Sequence, residues 1–191
     1  TIQSRGLGDV YKRQAQGAFW YSGQICISLQ RLFINHRLMD TFVPAFINAT
    51  RNIKVGDPLL PETDVGPMIS LDDVNRTRGL IKDAIKHGAN VVYGGNTYNP
   101  FTMNPTVLDR TAPSMTVNKE EVFAPIVTLT PYESLEDAIT QVNNCHYGIH
   151  AGIYTQDPQK TSLSYQRLDV GGVIVNDIPT FRLDQLPYGC L

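Results

Sequence analysis

The 191-residue sequence predicts an α/β fold, a mostly parallel sheet with helices on both faces. Three observations carry this. Short apolar runs such as Arg31-Leu32-Phe33-Ile34 and Val173-Ile174-Val175 suit buried strands. Between them, apolar residues recur at helical spacing over stretches long enough to serve as crossovers between parallel strands. Gly and Pro cluster at the junctions, as at Gly56-Asp57-Pro58 and Gly94-Gly95.

The elements follow in order. After the strand at 31–34, Leu38, Phe42, Ala45, Phe46 and Ala49 mark a helix. Gly56-Asp57-Pro58, Pro61 and Gly66-Pro67 mark a long loop. Ser70 and Asp73 have the spacing of a capping box, with Asp in place of the usual Glu, and open a helix whose buried stripe is Val74, Ile81, Ala84 and Ile85. Gly88 follows its last turn. Asn90–Tyr93 reads as a strand stopped by Gly94-Gly95, and Asn99–Thr111 as an extended stretch. Ala124–Thr130 reads as a strand, Ser134 caps a helix with Leu135, Ala138, Ile139 and Val142 on one face, and Ala151–Tyr154 is a strand. Asp157-Pro158 supplies an N-cap and a proline at the first helical position. Gly171-Gly172 leads into the last buried run.

Composition removes several classes. At 42% hydrophobic the chain is too apolar to be disordered, and no apolar run approaches the ~20 residues of a membrane span. A net charge of −2 gives no electrostatic reason to expect nucleic acid. Cys26, Cys145 and Cys190 make no disulfide framework and no CxxC pair, which places the chain in a reducing, cytoplasmic setting. His36, His87, His146 and His150 show no metal-ligand spacing with them, so no metal site is expected.

The two ends differ from the rest. Residues 1–14 carry a local charge of +2, with Arg5, Lys12 and Arg13 against Asp9, and contain no apolar stretch of a secretory signal. Asp9–Gln14 can be encoded by GAT GTG TAT AAG AGA CAG, which resembles a transposon end used to build sequencing libraries, and the reverse complement of that string yields Cys-Leu, as at Cys190-Leu191. Residues 1–14 and 190–191 are therefore read as adapter-encoded, and residues 15–189 as a domain cut at both ends.

Three clusters could carry chemistry. Cys26, in Ser22-Gly23-Gln24-Ile25-Cys26-Ile27-Ser28, is either a small buried hydrophobe or a nucleophile beside a glycine that allows close approach of a ligand. Glu120-Glu121 before Val122-Phe123-Ala124-Pro125 is a solvated loop edge or a carboxylate able to accept from two adjacent hydroxyls. Asn176–Arg182, followed by Leu186-Pro187-Tyr188-Gly189, lies just beyond a strand end, where open α/β sheets place their ligands.

Taken together and in order, the pieces resemble the aldehyde dehydrogenase superfamily, over essentially all of 15–189. The family's cysteine motif appears as Gly23-Gln24-Ile25-Cys26 with Arg31, and its Glu-x-Phe-Gly-Pro motif as Glu121-Val122-Phe123-Ala124-Pro125. Tyr147–Thr155 matches a third motif, Gly171-Gly172-Val173-Ile174-Val175-Asn176 a fourth, and Pro187-Tyr188-Gly189 the start of a fifth. The fold this implies is that of the aldehyde dehydrogenase catalytic domain.

The resemblance implies that Cys26 attacks an aldehyde to give a thiohemiacetal and then a thioester, that the Cys26 N–H forms half of an oxyanion hole, and that water or coenzyme A releases the product. It implies NAD or NADP as cofactor, with Glu121 holding the nicotinamide ribose hydroxyls and Phe123 packing beside the ring. It implies a small aldehyde as substrate and a homodimeric or homotetrameric parent. Phe181-Arg182-x-Asp184 before Pro187-Tyr188-Gly189 resembles semialdehyde and lactaldehyde-type members. Ala124 departs from the family's glycine, tolerable at negative φ and costly at positive φ. The family's pyrophosphate site, oxyanion asparagine and general-base glutamate belong upstream of Cys26, so the fragment itself is expected to be inactive. Two rivals remain, a non-redox cysteine acyltransferase or hydrolase, which would need a histidine beside the thiol, and a non-enzymatic protein of the same fold, which the retained cysteine disfavours.

Overall fold

The computed structural model describes residues 7–189; residues 1–6 and the Cys190-Leu191 pair lie outside the described residues. Its main sheet has four strands, in the order β1 (Arg31–Asn35), β6 (Ile126–Tyr132), β5 (Thr106–Asp109), β2 (Asn90–Tyr93). β1 and β5 both run parallel to β6, with Leu32 opposite Leu129 and Val107 opposite Val127. β2 is antiparallel to β5 and closes the edge. A short antiparallel pair, β3 (Thr97–Asn99) with β4 (Thr102–Met103), fills part of the stretch expected to run extended. β7 (His150–Ile153) and β8 (Gly172–Val175) form a separate parallel pair. Their connection is helical, α6 (Pro158–Arg167), as parallel pairing requires.

The sheet is covered on both faces because its strands alternate. On β5 and β6, Val107, Val127 and Leu129 join one apolar cluster, while Leu108 and Ile126 join the other. The first cluster contains Ala15, Ala18 and Phe19 of α1 (Leu7–Phe19) and Phe42, Phe46 and Ile47 of α2 (Met39–Arg51). Phe46 is fully buried and stacks on Phe42 at 5.9 Å between ring centroids. The second cluster contains Val74, Ile81 and Ala84 of α3 (Leu71–Lys86) and Val117 of the single turn α4 (Thr116–Lys119). The remaining helix, α5 (Leu135–Asn143), buries Ala138 and Ile139. None of these helices is long and apolar enough to cross a membrane.

The caps behave as the sequence predicts. Ser70 Oγ accepts from the Asp73 N–H at 3.1 Å and donates to the Asp73 carboxylate at 2.7 Å. Ser134 accepts from Asp137 N–H, and Asp157 from Gln159 and Lys160 N–H, with Pro158 in the first turn. Two side chains depart. Ile85 is 48% exposed, because Thr77 completes the stripe Val74, Thr77, Ile81, Ala84 and leaves Ile85 at its edge. Leu38 is exposed, because a 3-10 turn at His36–Leu38 precedes α2 and rotates it off the helical face.

The division drawn between residues 14 and 15 is not a division of the fold, since α1 runs across it. Tyr11, Ala15 and Ala18 recur at helical spacing and pack in one cluster, and Gln14 between them is buried. Tyr11 meets Phe42 edge-on at 5.0 Å, and Arg13 Nε and Nη2 both donate to Asp177. The coding origin of residues 1–14 is a separate matter from this packing. Removing them should therefore lower the thermal midpoint: an aromatic pair and a part-buried ion pair together contribute about 1–2 kcal/mol. That corresponds to a loss of roughly 2–8 °C in a chain of this length, read by differential scanning calorimetry of residues 15–191 against 1–191. An unchanged midpoint would show that the segment packs without stabilising.

Candidate active site

The Cys26 loop leaves α1 through a sharp kink. Tyr21, Ser22 and Gly23 are all left-handed, at φ 51°, 58° and 66°. Such a run costs about 1–3 kcal/mol per non-glycine residue and persists only if its surroundings hold it. Here they do. Ser22 Oγ donates to the Gly66 carbonyl at 2.7 Å, and Gln24 Oε1 accepts from the Ile69 N–H at 3.0 Å. A turn closed by Ser28 N–H to Ile25 carbonyl then presents Cys26, which is exposed, while Ile27 and Leu29 anchor the loop inward.

Gly23 decides what lies against this loop. A Cβ built there would stand 2.1 Å from the Ala124 carbonyl oxygen. Only glycine permits both the positive φ and this approach. The loop so admitted is Glu120–Pro125, and Gln30 clamps it: its Oε1 accepts from Val122 N–H at 2.9 Å and its Nε2 donates to the Glu120 carbonyl at 2.9 Å. Arg76 adds a bond from α3 to the Val122 carbonyl at 2.8 Å. Val122 points inward, fully buried, while Glu121 and Phe123 on either side of it are exposed. The left-handed residue of the loop is Phe123, φ 48°, and not Ala124, whose methyl is buried in the second apolar cluster. The alanine found where the family has glycine is thus accommodated.

Cys26, Glu121 and Phe123, singled out in the sequence, therefore line one cleft of about 960 Å³. A fourth residue joins them. Gly171 approaches the Gly189 carbonyl so closely that a Cβ would stand 2.1 Å from it, which lays residues 187–189 across the start of β8. Tyr188 then meets His150 edge-on at 5.9 Å and reaches Cys26. Burial raises the Tyr188 phenol above its ordinary value, helped by a hydrogen bond to the Cys26 thiol and opposed by Arg182. Cys145 lines the same cleft beside Arg31, whose pKa is lowered chiefly by burial and which donates to the Gln141 carbonyl at 2.6 Å. Among the described residues no group of three His, Cys, Asp or Glu side chains is placed to hold a metal.

A family model of aldehyde dehydrogenases matches residues 6–190. The chain belongs to the aldehyde dehydrogenase family. A putative aldehyde-dehydrogenase-like protein of Sinorhizobium fredii, y4uC, is 43% identical over 91% of this chain and 34% of its own length. Aldehyde dehydrogenase 21 of Physcomitrella patens, solved with the reaction product succinate, superposes with a TM-score of 0.94 at 36% identity, over 97% of this chain and 38% of that one. Glyceraldehyde-3-phosphate dehydrogenase of Methanocaldococcus jannaschii, solved with NADP, superposes with a TM-score of 0.92 at 30% identity, over 98% and 41%. The chain thus spans 34–41% of the length of these relatives, and its fold is that of the aldehyde dehydrogenase catalytic domain.

In this aldehyde dehydrogenase chain the motifs foretold the exposed residues but not the groups that hold them. Gln30, Ser22 and Arg76 position the two loops; Ser22 lay within the Cys26 cluster, and no motif pointed to the other two. Gln30 carried one legible signal, an amide placed directly before an apolar strand. Gly23→Ala should drive the Cys26 and Glu120–Pro125 loops apart, lowering the thermal midpoint by several degrees and changing the rate at which Cys26 is alkylated. Gly79→Ala, within α3 and with open space around it, should raise stability by up to about 1 kcal/mol. Equal effects of the two substitutions, measured by urea unfolding, would show that the loop contact does not constrain the site.

Proposed function

We propose that the parent enzyme oxidises a small aldehyde to a carboxylic acid with NAD or NADP, and that Cys26 is its nucleophile. The observation that carries this is the placement of an exposed thiol, a carboxylate and an exposed aromatic ring, Cys26, Glu121 and Phe123, in one cleft. The Cys26 thiolate adds to the carbonyl carbon, forming a C–S bond and an alkoxide. The Cys26 N–H, which the turn closed by Ser28 does not use, would donate to that alkoxide and favour its formation. Collapse of the alkoxide expels hydride and leaves a thioester on Cys26, which water cleaves to the acid with return of the thiol.

Bound NAD(P)+ supplies the hydride acceptor. The chain's residues fit it. Glu121 is acceptor-only and exposed, suited to a pair of ribose hydroxyls, and Phe123 offers an apolar face for a heteroaromatic ring. NADP in the Methanocaldococcus structure and succinate in the Physcomitrella structure support the cofactor class and an aldehyde substrate. A cysteine hydrolase or acyltransferase finds less support. Such chemistry needs a histidine bonded to the thiol, and among the described residues the hydrogen bond of His150 runs from Nδ1 to the Pro179 carbonyl at 2.9 Å, not to Cys26.

In the parent enzyme, Cys26→Ser should lower aldehyde oxidation by several orders of magnitude, since it removes the covalent step, and Cys145→Ser should leave it near normal. Steady-state assay over a panel of small aldehydes reads both; near-normal Cys26→Ser activity ends the assignment. Glu121→Gln should weaken NAD(P)+ use while Cys26 stays alkylatable. Residues 1–191 alone should reduce no NAD(P)+ with any aldehyde. Turnover by that chain would show that the pyrophosphate site and the general base are not needed from outside it.

A further inference from the structure

We infer that Gln30 is a positioning residue for cofactor binding: its side-chain amide fixes both backbone torsions of Glu121 and so aims the carboxylate that meets the nicotinamide ribose. This rests on the aldehyde dehydrogenase reading above. Gln30 lines the cleft with Cys26 and Glu121. Its own carbonyl accepts from the Thr128 N–H at 2.9 Å, at the head of the β1–β6 ladder, so its backbone is tied to the sheet. Its side chain turns to the other loop. Oε1 accepts from the Val122 N–H at 2.9 Å, and Nε2 donates to the Glu120 carbonyl at 2.9 Å and to the Val117 carbonyl at 3.3 Å.

The bonds to Glu120 and Val122 straddle Glu121. The Glu120 carbonyl lies in the peptide plane before the Glu121 Cα, and the Val122 N–H lies in the plane after it. Peptide units are planar, so a residue's soft backbone torsions are the rotations of those two planes about its Cα. One rigid amide holding both planes therefore fixes the direction of the Glu121 Cα–Cβ bond and leaves only side-chain torsions free. The base of the loop is held independently. Thr128 Oγ1 donates to Asn118 Oδ1 at 2.9 Å, and Asn118 Nδ2 donates to the Ala112 carbonyl at 3.0 Å. Arg76 holds the following plane through the Val122 carbonyl, just ahead of the left-handed Phe123. Among the described residues no ion pair orients the Glu121 carboxylate, so its aim comes from its backbone. The pattern needs one acceptor and two donors on a single end group, which glutamine supplies. Glutamate cannot donate to the carbonyls, and lysine cannot accept from the Val122 N–H.

A double-mutant cycle on cofactor binding tests this. The Kd of the parent enzyme for NAD+ and for NADP+ is measured by isothermal titration calorimetry with no aldehyde present. Gln30→Met should raise the Kd of whichever cofactor the parent binds about 3- to 30-fold, the scale of one or two lost hydrogen bonds. In a Glu121→Ala background, where no carboxylate remains to be aimed, the same substitution should change Kd by less than about twofold. Gln30→Lys keeps a donor for the two carbonyls and loses the acceptor, so its effect should fall between those of glutamine and methionine. Where Gln30→Met does not fold, Gln30→Lys carries the same cycle. Equal losses in the two backgrounds would mark Gln30 as merely structural and overturn the inference, and so would an unchanged Kd with Glu121 present. A parent that binds neither NAD+ nor NADP+ overturns the dehydrogenase reading itself, an outcome distinct from binding that is indifferent to Gln30.

Discussion

The approach of Gly23 to the Ala124 carbonyl is the contact on which the site depends. Two loops distant in sequence meet backbone to backbone, with no room for a methyl group between them. One loop carries Cys26 and the other carries Glu121 and Phe123. Their separation is set by main-chain atoms, so it does not vary with side-chain rotamers. Each loop leads into a strand, β1 and β6, and these strands are parallel neighbours with Arg31 opposite Thr128. The sheet register thus fixes where the loops begin, and Gly23 fixes how close they come.

This arrangement stores strain and distributes the means of holding it. Tyr21, Ser22 and Phe123 occupy left-handed conformations that side chains rarely adopt. Each lies within a residue or two of a group bonded to another part of the molecule: Ser22 to Gly66, Gln24 to Ile69, Val122 to Gln30 and Arg76. Without those bonds the kinks would relax and the thiol and carboxylate would drift apart. Reactive groups on loops are useful only when supporting groups on rigid elements restrict them. Here Arg76 comes from α3 and Gln30 from the residue before β1.

The groups that bear on Tyr188 are one thiol, one carboxylate and one guanidinium. The Tyr188 phenol is raised above its ordinary value, and its ring lies 4.6 Å from the Arg182 guanidinium carbon.

The sequence by itself determined the class of fold, the caps at Ser70, Ser134 and Asp157, and the family, because these rest on local chemistry: apolar periodicity, side-chain oxygens at helix starts, and ordered motifs. It also marked Cys26, Glu121 and Phe123. It did not show that residues 7–14 continue into α1, since nucleotide coding and helical packing are different properties. It left open the sign of φ at Ala124, and missed the antiparallel pairing of β2, the clamp made by Gln30 and the reach of Tyr188 to Cys26. Those were decided by tertiary structure, for one physical reason. Each depends on which backbone segments come within a few ångströms of each other, and that follows from sheet register and close glycine contacts across many residues, which no local pattern encodes.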